Sequence, residues 1–188
     1  MSTAWEVNTA TVSMTSNLII GITPGETNPS GIRFKSDGTK MYILGSSLDK
    51  VHEYDLSTAW TLSSASLVSN VSVSNTTPNT LEFNNTGSKM YIGDYTSDYI
   101  YEYDLSTPWQ VNTASLVANI NISTGAGRTA GLGNVSGIAY SSNGHKMYLT
   151  DLSTNTIQQF TLESIPALRS IVAVGTTYSS NATHIIVG

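Results

Sequence analysis

Short runs of alternating apolar and polar residues succeed one another along most of the chain. GIRFKSD, KMYIL and KVHEYDL lie between Gly31 and Leu56, and TLEFNNT, KMYIG and YIYEYDL between Thr80 and Leu105. GIAYSSN, KMYLT and TIQQFTL follow between Gly137 and Leu162. A period of two sends successive side chains to opposite faces of an extended chain, so each run predicts a half-buried β-strand. Asp37-Gly38, Thr86-Gly87 and Asn143-Gly144 separate the first and second runs of each block and predict tight hairpin turns.

The blocks repeat. KMYILGSSLDKVHEYDLSTAW from Lys40 to Trp60 returns as KMYIGDYTSDYIYEYDLSTPW from Lys89 to Trp109, and a third copy runs from Gly137 to Leu162. Aligning Lys40, Lys89 and Lys146 also aligns Tyr54, Tyr103 and Phe160. A fourth run precedes each block, as AWEVNTATVSM from Ala4, AWTLSSASLVSN from Ala59 and PWQVNTASLVAN from Pro108, with Trp5, Trp60 and Trp109 in register. Four short antiparallel strands in a unit of roughly fifty residues predict a β-propeller blade. The expected fold is therefore all-β, a small or incomplete propeller forming one domain over residues 1–188. Its blades are expected at 4–57, 58–106 and 107–163. In the tail, 164–188, TTYSSNATHIIVG is similar to IAYSSNGHKMYLTD with one residue deleted. Two arrangements stay open: the tail begins a degenerate fourth blade that the strand at Trp5 completes, or it forms a hairpin that leaves an edge for another chain.

The sequence DGTKMYI, followed by a short loop and EYDL, resembles the blades of YVTN and NHL-like propeller repeats. Over residues 29–163 it is also similar to the DGTKMYI…EYDLSTAW repeats of marine bacterial and phage surface proteins. The resemblance implies a propeller; those families include adhesins, lectins, scaffolds and a few lactonases, so function must be argued from the site.

Composition narrows the classes. Hydrophobic residues make up 39% of the 188, enough for a core, while only 11% are charged and the net charge is -5. Eight Lys and Arg scattered singly form no basic stripe for phosphates, which argues against nucleic acid and anionic membranes as partners. With no cysteine there is no disulfide framework, thiolate metal site or cysteine nucleophile. No signal peptide or membrane span is visible, and the Ser, Thr, Asn and Gly-rich surface suits an extracellular or virion protein.

In a propeller the loops between second and third strands and the connections between blades share one face, where binding is expected. Asp49, Asp94, Tyr95, Asp98, Arg128 and Asp151 are the candidates there. Carboxylates converging on the axis would suit calcium, although no metal motif of defined spacing is present and no cofactor is implied; the plainer reading is solvated turn residues. Tyr95 suits a sugar or protein surface. His52, His145 and His184 lie on separate elements, and no nucleophile elbow or nucleophile–base pair stands out. Sequons at Asn70, Asn75, Asn84, Asn121, Asn134 and Asn181 are candidate glycosylation sites. Asp55, Asp104 and the aligned lysines recur and read as scaffold, because a site should break the repeat.

The expectation is a non-enzymatic structural or adhesion subunit of a virion or extracellular fibre, assembling with copies of itself through strand edges or loop faces. A carbohydrate-binding module is the alternative, and a metal-dependent lactonase-like hydrolase the third.

Overall fold

The computed structural model describes residues 25–123 and 134–162. Within them lie β1 (Pro29–Phe34), β2 (Lys40–Gly45), β3 (Lys50–Leu56), β4 (Ala65–Ser72), β5 (Pro78–Phe83), β6 (Lys89–Asp94), β7 (Tyr99–Leu105), β8 (Ala114–Asn121), β9 (Val135–Tyr140), β10 (Lys146–Asp151) and β11 (Thr156–Thr161). They form antiparallel sheets in the orders β1-β2-β3-β4, β5-β6-β7-β8 and β9-β10-β11. These are three successive blades, with β1 against β5 and β5 against β9.

The expected turns are present. Gly38, Gly87 and Gly144 take φ of 73°, 69° and 73°, a left-handed conformation that side chains disfavour. Asp49, Asp98 and Asn155 occupy the equivalent left-handed position in the loop from second to third strand, at φ 50°, 62° and 53°. Asp and Asn are the side chains that best tolerate that region.

The blade boundaries differ from the sequence expectation. The Trp-containing run closes the sheet it follows instead of opening the next one, so the first two blades span 29–72 and 78–121. Trp60 and Trp109 do not start strands. They sit at φ 63° and 66°, donate their backbone N–H to the Gly38 and Gly87 carbonyls at 3.0 and 2.9 Å, and lay their rings over those glycines. One 3₁₀ turn, Leu62–Ser64 or Val111–Thr113, leads into β4 or β8. Periodicity gives a repeat its length but not its starting phase, and hydrogen bonding supplies the phase.

The cores lie largely between blades. Tyr42, Leu44 and Val51 of the first blade pack against Met90, Ile92 and Tyr103 of the second. Ile100 of the second packs against Met147 and Leu149 of the third. Tyr101 and Tyr103 thus face one seam and Ile100 the other, as the alternation in YIYEYDL predicts. Burying each such side chain contributes about 1.5–3 kcal/mol.

Polar groups set the seams. One residue of each innermost strand, Ser30, Asn79 or Ser136, is the extra residue of a β-bulge. A bulge re-aims its side chain, and Ser30 Oγ donates to the Pro78 carbonyl at 2.7 Å while Asn79 Nδ2 donates to that of Val135 at 3.0 Å. Glu53, 2% exposed, accepts from Lys40 Nζ, from Ser69 Oγ and, across the seam, from Val111 N–H. Tyr42 donates its hydroxyl to the Trp109 carbonyl at 2.8 Å.

Candidate functional site

Asp94 and Asp151 end equivalent strands and are both buried. Asp94 accepts backbone N–H groups from Thr76, Thr77, Thr96 and Ser97 at 2.9–3.1 Å, and the Thr77 hydroxyl. Burial opposes its charge, but these donors outweigh burial and bring its pKa down to about 2. Asp151 accepts from Asn134 N–H, Thr154 N–H and the Ser153 and Thr154 hydroxyls, and its carboxyl also stays well below the usual range. Both carboxylates fold back on their own loops and fasten the incoming connection to the outgoing turn.

The first blade reaches the same result by another route. Gly45 stands where the other blades have Asp94 and Asp151, and a Cβ there would overlap the carboxylate of Glu26. Glu26, 1% exposed, accepts from Asn28 N–H at 2.7 Å, Ser47 N–H at 3.2 Å, Leu48 N–H at 3.3 Å and the Ser47 hydroxyl. Burial opposes its charge and the donors prevail, leaving its pKa below the ordinary value. Sequence reading missed Glu26 because it falls in an apparent loop, GITPGETNPS. The signal was the missing aspartate at Gly45.

His52 lies beside this carboxylate, its Nε2 3.9 Å from Glu26 Oε2. It is 1% exposed and neither ring nitrogen has a hydrogen-bond partner among the described residues. Burial lowers its pKa, which the Glu26 charge only partly offsets. By strand register it matches Tyr101 and Gln158, since Ile43 faces His52 as Ile92 faces Tyr101 and Leu149 faces Gln158.

Asp49 and Asp98 sit at equivalent turn positions, and their carbonyls accept the Val73 and Ile122 N–H groups. Tyr95 is 36% exposed on the loop after Asp94. Arg128 and Asn181 lie outside the described residues. Among the described residues no three His, Cys, Asp or Glu side chains form a group able to hold a metal. Of the sequons, Asn70 is exposed and Asn84, Asn121 and Asn134 are half-buried. Asn75 is 3% exposed, with an amide that has no hydrogen-bond partner among the described residues and no room for a glycan in the folded chain.

At the opposite end, where the hairpin turns lie, grooves follow both seams. One, of about 380 Å³, is lined by Arg33, Phe34, Ser36, Glu82, Phe83, Asn84, Asn85 and Trp109. The other, of about 200 Å³, shares Glu82 to Asn85 and adds Tyr91 and Tyr140, whose ring centroids are 4.4 Å apart. The innermost strands carry Arg33, Glu82 and Ala139 at one aligned position, a break in the repeat.

The arrangement is that of a β-propeller segment, and solved structures share it. A provisionally assigned 6-phosphogluconolactonase from Bacteroides fragilis superposes with a TM-score of 0.53 at 17% identity, over 72% of this chain and 35% of its own. A protein from Lactobacillus plantarum gives 0.56 at 20% identity, over 72% and 38%. The β-propeller domain of Cps50 (Swd1) from Myceliophteria thermophila gives 0.51 at 10% identity, over 78% and 44%. This chain thus spans between about a third and under half of those chains, and the likeness at such identities shows the fold alone. No protein-family model and no curated protein matches the sequence.

Proposed function

We propose that the protein is a non-enzymatic structural and adhesion module of an extracellular surface or virion, working by blade-on-blade assembly with copies of itself. One observation carries this reading. Val51, Ile100 and Ile157 occupy the same position in successive third strands, with exposures of 0%, 3% and 76%. In the first two blades the following blade covers that position, whereas on the third blade no described residue packs over the matching face, and Ala139 and Thr150 are exposed beside it. A blade face with an apolar centre left uncovered among the described residues is a surface for another blade.

The recurring polar residues support it, since Lys40, Glu53 and Asp94 are occupied by scaffold contacts. A lactonase reading draws on neighbours at 16–17% identity, which share the fold alone. Sedimentation velocity over a range of concentrations tests the assembly. A concentration-dependent oligomer that Ile157→Lys dissociates is expected. A monomer at every concentration refutes it.

A further inference from the structure

We infer that the groove between the first two blades, at the hairpin-turn end, binds a neutral polyhydroxylated ligand of the carbohydrate class. This puts a ligand site opposite the loop face, and it rests on the proposed function only in giving the adhesion role a ligand.

The argument begins with the polar groups. Arg33 directs Nε to Glu82 Oε2 at 3.1 Å and Nη1 to the Ile32 carbonyl at 2.8 Å, and its Nη2 has no partner among the described residues. Glu82 accepts Arg33 on one oxygen and its neighbour Phe83 N–H, at 3.1 Å, on the other. Asn85 uses Nδ2 across the second seam on the Ser142 carbonyl, leaving Oδ1 as an acceptor at the rim. The groove therefore offers unused donors and acceptors around an ion pair with no net charge.

Its walls are aromatic. Phe83 and Trp109 lie 5.5 Å apart between ring centroids, tilted by 35°, and Phe34 lines the far side. A sugar ring has an apolar face for such walls and hydroxyls for the polar rim, so one ligand class satisfies both. An anion would meet Glu82 and the net charge of -5. A purely apolar ligand would leave the Arg33–Glu82 pair facing it unsolvated. About 380 Å³ is enough for a sugar unit or two and falls at the small end of ligand sites. The repeat points to the same place. Arg33 and Glu82 meet across this seam, and on the next seam Ala139 stands where Glu82 does, so the polar pair belongs to one groove only.

The test is ¹H–¹⁵N NMR of the full chain titrated with maltotriose, cellotriose and chitotriose, with gluconate as the anionic comparison. Saturable shifts at the Trp109 indole, the Asn85 amide and the Arg33 Nε–H are expected with at least one trisaccharide, at affinities in the micromolar to millimolar range. Ser36→Trp, which fills the groove from an exposed position, should weaken that binding at least tenfold, as should Arg33→Ala, while Tyr95→Ala leaves it unchanged. No shift with any trisaccharide overturns the inference, as do shifts confined to the loop around Tyr95, binding unaffected by Ser36→Trp, or binding of gluconate alone. Sedimentation of the same variants keeps the two readings apart, because Ser36→Trp leaves the Ile157 face untouched.

Discussion

The exchange of Asp94 and Asp151 for the pair Glu26 and Gly45 makes a quantitative prediction. Asp94 receives N–H groups two and three residues beyond itself, from Thr96 and Ser97. Glu26 receives the N–H groups two and three residues beyond Gly45, from Ser47 and Leu48. One carboxylate position is thus filled from the strand end in the second blade and from the preceding connection in the first. Glu26→Ala removes an acceptor of four donors. Hydrogen bonds to a charged group are worth about 1.5–3 kcal/mol each but are not additive. Ser47 and Leu48 are exposed, so water recovers part of the loss, and the expected cost is about 2–4 kcal/mol.

Gly45→Asp alone forces a Cβ into the Glu26 carboxylate and sets two like charges in one gap, which should cost about 2 kcal/mol or more. The double variant Glu26→Ala, Gly45→Asp rebuilds the arrangement of the second blade and should return to within about 1 kcal/mol of the parent, a coupling well above the few tenths seen for independent sites. Equilibrium urea unfolding followed by tryptophan fluorescence reads this out. A loss of about 3 kcal/mol moves the midpoint by roughly 1–3 M at usual slopes. If the double variant is as unstable as the sum of the single changes, the two carboxylate arrangements are not equivalent and the reasoning fails.

Two further outcomes follow. Gly87→Ala should destabilise more than Gly144→Ala, because both glycines have positive φ but a Cβ at Gly87 would run into the Trp109 ring, whereas at Gly144 nothing lies within 4 Å; the second change costs only the strain of a left-handed residue, about 1–2 kcal/mol, and equal losses in thermal unfolding would contradict the stacking. Stability should fall in two acid steps. His52, kept neutral by burial, titrates below its ordinary 6.5, so the unfolded chain takes up the proton first and stability declines as pH drops through 6.5, by at most about 1.4 kcal/mol per unit. Asp94, with its pKa at about 2, contributes stability present above 3.8 and lost as pH falls from there towards 2. His52→Gln, the residue that Gln158 supplies in the third blade, should abolish the first step and keep the second; an unchanged profile between pH 5 and 7 would show that His52 does not carry it.

Much of the fold was legible because it is local. Alternation placed all three strands of each repeat at Lys40, Lys89 and Lys146, and Asp-Gly, Thr-Gly and Asn-Gly marked the turns. What stayed hidden depends on contacts distant in sequence. Whether β4 belongs to the strands before or after it is decided by its pairing with β3, across the turn that Trp60 makes on Gly38. Glu26 acts on a glycine nineteen residues away, so no spacing rule would have found it. Charge alone makes Asp94 and Asp151 look like binding residues in the sequence, and in the fold that charge holds backbone N–H groups. The Arg33 groove needs two blades to exist, although its signal, one aligned position reading Arg, Glu and Ala, was visible in the alignment of the repeats.

The third blade departs from the repeat on one side only. Its rearward side keeps the pattern of the others: Met147 and Leu149 are 3% and 2% exposed, as Met90 and Ile92 are fully buried. Its forward side departs from it. Thr150 stands for Leu44, Gln159 for Glu53 and Thr161 for Asp55, and Lys146 is exposed where Lys40 bridges two carboxylates. Glu53 grips the Val111 N–H of the following blade with a charged acceptor, and Gln159 has only a neutral one to offer. A second copy docking on this side, as proposed, would be held by contact with Ile157 and by neutral hydrogen bonds, a weaker seam than those within the chain. Such a seam suits association that is reversible and dependent on concentration, which is the behaviour sedimentation is set to detect.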